Sequence, residues 1–269
     1  MVLRHKRVAS AAAVRELVDA AFAARYQDLD AMLKYSSMAV ALAEEKSREL
    51  PSDLMVAAWT QYGNALRIAG RYQEAERALE RGAALPTSDL TTRIHLLEVT
   101  ASLHRNTGRF ESAARHLTTA IDAHKSIGDS LGQVRTYNLL GIVHFDSGDR
   151  EQAICAYQAA IELIGPDTPM DVVATTGHNF LETLIADGKL AAATAALAVL
   201  DPFFRRFPPG RLTAKTEWMK ARLCRALEQF SAARLAYERA YAILSTEPRS
   251  PELADLAKEM ADLPEESDS

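Results

Sequence analysis

The sequence predicts an all-α protein, a right-handed α-solenoid of antiparallel helix pairs. Three observations predict it: a turn signal recurs at near-constant spacing, a small residue follows each turn at a fixed distance, and the segments between turns have helical periodicity. The recurring turns and the helical segments around them predict about six pairs. Because each pair buries its apolar face only against its neighbours, we also expect a C-terminal capping helix to cover the last pair.

The repeat is revealed by the regular spacing of a turn signal. Its first positions are residues 70, 108, 148, 188 and 228, so the intervals are 38, 40, 40 and 40 residues. Glycine tolerates positive φ, which lets one helix stop and the chain reverse. The five positions are Gly70, Gly108, Gly148, Gly188 and Glu228. The fifth lacks glycine, so the register of the last unit is specified less strongly.

Small residues on both sides of each turn predict close helix packing. Alanine stands five residues after every turn start, and a mostly small residue stands seven residues before it. These residues are Ala75, Ala113, Ala153, Ala193 and Ala233 after the turns, and Gly63, Ala101, Gly141, Leu181 and Ala221 before them. Leu181 breaks the pattern in the fourth unit. Leu79, Leu117, Tyr157, Leu197 and Tyr237 extend the alanine face toward the core.

Composition excludes several classes of protein. The 269 residues carry 31 Lys and Arg against 36 Asp and Glu, a formal charge of −5, which argues against nucleic-acid binding. No uncharged run is long enough for a membrane span, and the apolar stretch after the basic start is too soon interrupted for a signal peptide. Cys155 and Cys224 lack zinc-site spacing; we expect both as buried reduced thiols in a cytoplasmic protein.

The pattern resembles the tetratricopeptide repeat family. Trp59, Gly63, Gly70, Tyr72, Ala75 and Pro86 stand where the family signature expects them. The resemblance covers roughly residues 53 to 245. Residues 128–141 and 148–153 look like the forty-residue variant found in kinesin light chains and in bacterial regulators. It implies a superhelix whose first helices line a concave groove for peptides.

The repeat divides the chain into predicted segments. We expect a degenerate capping pair over 1–50, a capping helix over 250–263 that begins at Ser250 and Pro251, and a disordered acidic tail over 264–269. Within 51–247, the five repeat units are predicted at about 53–87, 90–127, 130–165, 170–202 and 211–246. Two breaks separate the later units, residues 165–169 and 201–210. Phe203, Phe204 and Phe207 in the second break are interpreted as an aromatic plug between helices, with a docking loop as the alternative.

The sequence contains no recognisable catalytic constellation, phosphate loop or metal motif. We therefore expect no enzyme, no cofactor and no metal site. The seven histidines lack metal-ligand spacing and are interpreted as core or helix-contact residues.

The family resemblance places the candidate binding residues on the first helix of each pair. The predicted groove residues are Gln61, Asn64, Arg67, His95, Ser102, Arg105, Asn106, Arg135, Asn138, His178, Asn179, Glu182, Lys215, Trp218, Arg222 and Arg225, with Thr60, Glu98, Ile142 and Asp146 beside them. This set is richer in Arg, Asn, His and Lys than the whole chain, which predicts a locally positive face.

Two functions remain open at this stage. The first is a non-catalytic scaffold or adaptor that binds a protein or peptide segment in the groove; arginine and asparagine favour an acidic or C-terminal peptide. The alternative is a regulatory protein, of bacterial type, that senses a peptide or small ligand and acts on a separate partner. For single groove residues, an intramolecular salt bridge is as good an interpretation as ligand contact. The sequence leaves the oligomeric state open.

Overall fold

The computed structural model describes residues 2–25, 27–246 and 252–264, with side chains from Ser10 onward. These ranges contain thirteen α-helices and no β-strand, which confirms the predicted all-α class. The count equals six consecutive helix pairs and one closing helix. The chain divides into two compact units, Met1–Asp129 and Ser130–Ser269.

The first unit holds three helix pairs. Its helices are α1 (Val2–Ala24), α2 (Leu29–Glu45), α3 (Ser52–Ile68), α4 (Tyr72–Ala83), α5 (Leu90–Asn106) and α6 (Phe110–Ser126). Each second helix packs against its own first helix, and α1, α3 and α5 pack against one another in that order. A core of Val56, Trp59, Leu66, Leu79 and Leu103 fills the space between them.

The second unit holds three further pairs and a closing helix. Its helices are α7 (Ser130–Asp146), α8 (Arg150–Glu162), α9 (Met170–Ala186), α10 (Leu190–Phe204), α11 (Arg211–Ala226), α12 (Phe230–Leu244) and α13 (Glu252–Ala261). The first helices α7, α9 and α11 pack in sequence, while α13 packs on α12. Leu256 of α13 is fully buried there.

The predicted turns all have left-handed backbone geometry. Gly70, Gly108, Gly148 and Gly188 have φ values of 74°, 72°, 86° and 70°. Glu228 adopts φ 60° without being a glycine, and the N–H of Gln229 donates to the carbonyl of Cys224 (2.9 Å), as the matching groups do at the glycine turns. The fifth turn therefore keeps the geometry of the others at a conformational cost.

The small residues allow close helix contacts, as the pattern predicts. All five repeat alanines are fully buried. A Cβ on Gly63 would lie 2.6 Å from the Leu79 side chain, and one on Gly141 would lie 2.5 Å from the Tyr157 ring. In the fourth repeat unit, α9 and α10, the close approach moves one turn earlier, to Gly177, where a Cβ would lie 2.9 Å from Phe204. This shift accommodates Leu181.

The predicted break over 201–210 begins too early. Helix α10 continues through Pro202 to Phe204, because one lost N–H bond in a last turn is tolerated. Phe204 and Phe207 are buried, and their rings lie 5.5 Å apart. The two side chains belong to the core of α9–α11, as the aromatic-plug interpretation expects.

The cysteine prediction is wrong in one respect. Both thiols are free, but Cys155 is exposed and Cys224 is only half-buried, because Cys155 lies on the outer face of α8. Ser250, Pro251 and residues 265–269, for which a helix start and a disordered tail are predicted, lie outside the described residues.

Candidate functional site

Three pockets lie on one face of the second unit, and we call this surface, formed by α7, α9 and α11, the groove face. The main pocket, between α9 and α11, has a volume of about 330 Å³. It is lined by Ala174, Thr175, His178, Asn179, Glu182, Leu212, Lys215, Trp218, Met219, Arg222 and Glu252. Six of these residues are among the predicted groove residues of the fourth and fifth units.

Two smaller pockets continue the groove face between α7 and α9. The side pocket, of about 190 Å³, is lined by Ile142, Phe145, Tyr157, Asn179, Glu182 and Thr183. The polar pocket, of about 140 Å³, is lined by Arg135, Asn138, Asp171, Val172, Thr175 and Thr176. Asn179 and Glu182 also line the main pocket, and Thr175 lines both it and the polar pocket, so the three pockets are direct neighbours.

Hydrogen bonds between successive first helices hold the groove face in place. The Asn179 side-chain amide donates to Asn138 Oδ1 (3.0 Å), joining α9 to α7. His178 Nε2 lies 3.1 Å from Thr216 Oγ1, joining α9 to α11. Burial, together with the nearby charge of Lys215, lowers the pKa of His178 to about 4. The imidazole is therefore neutral at pH 7.

The closing helix supplies two carboxylates to this site. Glu259 accepts hydrogen bonds from Trp218 Nε1 (2.9 Å), from Arg222 Nη2 (2.5 Å) and from the Tyr237 hydroxyl (3.0 Å). Burial would raise the pKa of Glu259, but the bonds from Arg222 and Trp218 hold it below its ordinary value of 4.5. Glu259 thus fixes the positions of Trp218 and Arg222, two of the residues that line the main pocket.

Glu252, the other carboxylate, lies on the rim of the main pocket. It pairs with Arg211, and its Oε1 is 3.4 Å from Lys215 Nζ. Sequence reasoning missed both Glu252 and Glu259, although each follows its partner by 37–41 residues, one repeat length. That spacing was the available signal.

The predicted positive face needs correction in this unit. The main pocket carries two cations, Lys215 and Arg222, and two anions, Glu182 and Glu252. Arg222 is held by Glu259 and lies 3.5 Å from Glu182. The pocket is close to neutral because α13 supplies acids that first-helix positions alone do not reveal. Arg225 is half-buried and lies outside the pocket lining.

The predicted groove residues on α3 are either buried in the helix packing or hydrogen-bonded to other side chains of the unit. Gln61 is only 1% exposed, inside the helix packing, so we no longer count it as a surface for a partner. Arg67 donates to Asn64 Oδ1 (2.8 Å) and Asn106 Oδ1 (3.0 Å), which ties α3 to α5.

The other predicted residues of this unit lie on α5. Ser102 donates to the Glu98 carbonyl (2.9 Å), and Arg105 is half-buried. His95 is half-buried as well, and burial lowers its pKa. Most of these side chains are therefore engaged within the unit or partly covered.

Three of the described histidines occupy the helix-contact positions that the sequence predicts. The His104 and His116 rings lie 5.1 Å apart, and burial lowers the pKa of His104 to about 4. His124 is buried, with its Nδ1 2.9 Å from Asp129 Oδ2. In the described part of the chain, His, Cys, Asp and Glu do not gather in groups of three suited to a metal ion. Nor do the described helices include an apolar stretch of the length that a bilayer requires.

Consecutive helix pairs with a pocketed face of first helices define the chain as a helical-repeat protein. Residues 95–164 match the family model described as tetratricopeptide repeat. This match confirms, over those residues, the resemblance to tetratricopeptide repeats seen in the sequence. Proteins of this family are in general non-catalytic scaffolds that bind other proteins or peptides.

Solved structures show the same fold at low sequence identity. BtubC (BKLC) from P. vanneervenii is 16% identical, with a TM-score of 0.65 over 83% of this chain and 96% of that one. PilF of Pseudomonas aeruginosa is 15% identical, with a TM-score of 0.59 over 93% of this chain and 99% of that one.

A third structure, the APC/C hetero-tetramer Cut9–Hcn1, is 18% identical with a TM-score of 0.55. The alignment covers 93% of this chain but 46% of that one. No protein with a curated description is similar enough to count as a relative.

Proposed function

We propose that this chain is a non-catalytic scaffold that binds a segment of a partner protein on the groove face of residues 130–269. The observation that carries the proposal is the convergence of predicted groove residues from two units on one pocket: His178, Asn179 and Glu182 from α9, and Lys215, Trp218 and Arg222 from α11. Apolar walls with a few polar groups are typical of binding pockets.

Acidic groups are the partner chemistry that the rim supports best. Glu252 already demonstrates that the Arg211 and Lys215 side chains accommodate a carboxylate at this edge. Arg135, in the polar pocket, is exposed and has no ion-pair partner among the residues described. Lys215 and Arg135 therefore suit an acidic side chain or a free C-terminal carboxylate.

Selection of random displayed peptides against the full chain tests the scaffold proposal. Thr175 is exposed and lines two of the three pockets, so Thr175→Trp fills the groove without touching the core. Thr194→Trp, on the exposed face of α10, is the matched control. We expect selected peptides to lose binding to Thr175→Trp and to keep it for Thr194→Trp. Peptides that bind both variants equally would contradict the proposal.

One observation favours the sensing alternative as a second function. Helix α13 contributes Glu252 to the main pocket and holds Trp218 and Arg222 through Glu259. A ligand in the pocket therefore touches the side chains that anchor α13, and binding would shift its docking. Hydrogen exchange measured with a selected peptide should show altered protection in α13; unchanged protection at saturation would leave the plain scaffold.

A further inference from the structure

We infer that the bound segment carries two bulky apolar side chains, one for the main pocket and one for the side pocket, and a carboxylate next to the first. This inference rests on the proposed function and names the chemistry of its partner.

The apolar anchor of the main pocket is set by its walls. Leu212, Trp218 and Met219 lie on the α11 side, and Ala174 lies on the α9 side. A volume of about 330 Å³ is at the lower end of ligand pockets, which run from roughly 300 to 1,000 Å³. The pocket therefore suits one large side chain with its adjoining backbone.

The second anchor follows from the side pocket. Its apolar walls are Ile142, Phe145 and Tyr157, and its volume is about 190 Å³. Since Asn179 and Glu182 line both pockets, these two polar side chains form a bridge between two apolar depressions. A chain that fills both depressions must cross the bridge with its backbone.

Asn179 has the groups needed to bind that backbone. One of its amide hydrogens goes to Asn138 Oδ1. Its carbonyl oxygen and second N–H form no hydrogen bond with residues described in the structure, so they can pair with a peptide N–H and C=O. Glu182, whose side chain is 52% exposed, accepts hydrogen bonds beside it and repels an acidic residue placed over the bridge.

The carboxylate belongs at the α11 end of the groove. Arg222 is held by Glu259, whereas Lys215 pairs among the described residues with Glu252 alone, at 3.4 Å, and its side chain is 41% exposed. An ammonium group has three donors. Lys215 can therefore hold a partner carboxylate while Glu252 stays with Arg211. The recognised pattern is an acid, an adjacent bulky apolar residue, a short spacer and a second apolar residue.

The peptides selected on the full chain supply the probe. We expect their consensus to contain two bulky apolar positions with an acidic residue beside one of them. Replacing either apolar position of a consensus peptide by alanine should weaken binding about tenfold or more, as measured by fluorescence anisotropy.

A double-mutant cycle tests the carboxylate site. Lys215→Gln should weaken binding of the acidic peptide several-fold. It should not change binding of the same peptide in which the acidic residue is replaced by its amide. Lys258→Gln, an exposed lysine on the outer face of α13, is the control and should affect neither peptide. Equal loss for both peptides on Lys215→Gln would overturn the carboxylate assignment.

The two levels of proposal fail differently. If the selected peptides fail to bind Thr175→Trp and yet contain one apolar anchor or none, that result would overturn the two-anchor inference and leave the scaffold function intact. If no selected peptide is sensitive to Thr175→Trp, both proposals are wrong.

Discussion

Glu228 occupies a backbone conformation that costs an ordinary residue about 1–2 kcal/mol. Its φ of 60° matches the glycine turns of the other four units. The repeat architecture imposes this geometry, because the fifth repeat unit, α11 and α12, has to reverse at the same point. A glycine at this site relieves the strain.

Glu228→Gly should therefore stabilise the protein by about 0.5–1 kcal/mol, measured by urea unfolding. Glu238→Gly, an exposed position inside α12, is the control and should destabilise by about 1 kcal/mol. The same sign for both variants would show that the turn is unstrained.

Gly141 and Gly165 differ in what surrounds them. A Cβ on Gly141 would meet the Tyr157 ring at 2.5 Å, whereas one on Gly165 would meet nothing within 4 Å. Gly141→Ala should destabilise by about 1–3 kcal/mol through overpacking between α7 and α8. Gly165→Ala should stay within about 0.5 kcal/mol of the wild type. Thermal unfolding of the two variants side by side checks this, and equal melting temperatures would refute the packing role.

At the scale of the element, one carboxylate of α13 ties it to both α11 and α12. Glu259 is bound by α11 and α12 together through Arg222, Trp218 and Tyr237, beneath the buried apolar contact of Leu256. Glu259→Gln keeps the shape and loses the charge. We expect a loss of about 1–3 kcal/mol at pH 7, while Asp255→Asn, exposed on the same helix, changes little.

The pH dependence of that loss follows from the lowered pKa of Glu259. A carboxyl group with a folded-state pKa below 4.5 stabilises the fold above its unfolded value, and the contribution disappears as pH falls through the folded pKa. The difference between wild type and Glu259→Gln should shrink as pH falls below about 4.5. A difference independent of pH would show that the charge is irrelevant.

At the scale of the whole molecule, several neutral histidines make the fold acid-sensitive. The pKa values of His104 and His178 are lowered to about 4 from 6.5, chiefly by burial. As pH falls below 6.5, these histidines become protonated in the unfolded chain before they do so in the folded one. Their contribution to the free energy of unfolding is therefore fully present above pH 6.5 and is lost as the pH falls toward 4. The folded state therefore favours the neutral form of these imidazoles.

We expect the free energy of unfolding to decrease between pH 6.5 and 4 by about 1–3 kcal/mol through His178, and by less through His104, which solvent screens in part. In the double variant His104→Gln and His178→Gln, urea unfolding across this range should show a flatter decline. A decline as steep as in the wild type would assign the acid sensitivity to other groups.

The sequence by itself determined the repeat: the turn positions, the buried alanines and the identity of the first helices. These features can be predicted from the sequence because each depends on a few residues at fixed spacing. A left-handed turn depends on the residue at the turn, and the contact between paired helices depends on small residues at set distances from it. The convergence of His178, Asn179, Lys215 and Trp218 on one pocket followed from the same spacing.

Only the tertiary structure decided which predicted groove residues are accessible and what charge they present. Gln61 is buried, the close approach of the fourth repeat unit moves to Gly177, and Glu252 and Glu259 neutralise the cations of the main pocket. Such outcomes depend on how side chains from separate elements pack and pair. A periodic pattern specifies the helix face on which a residue lies, whereas burial and charge depend on the neighbours that folding brings to it.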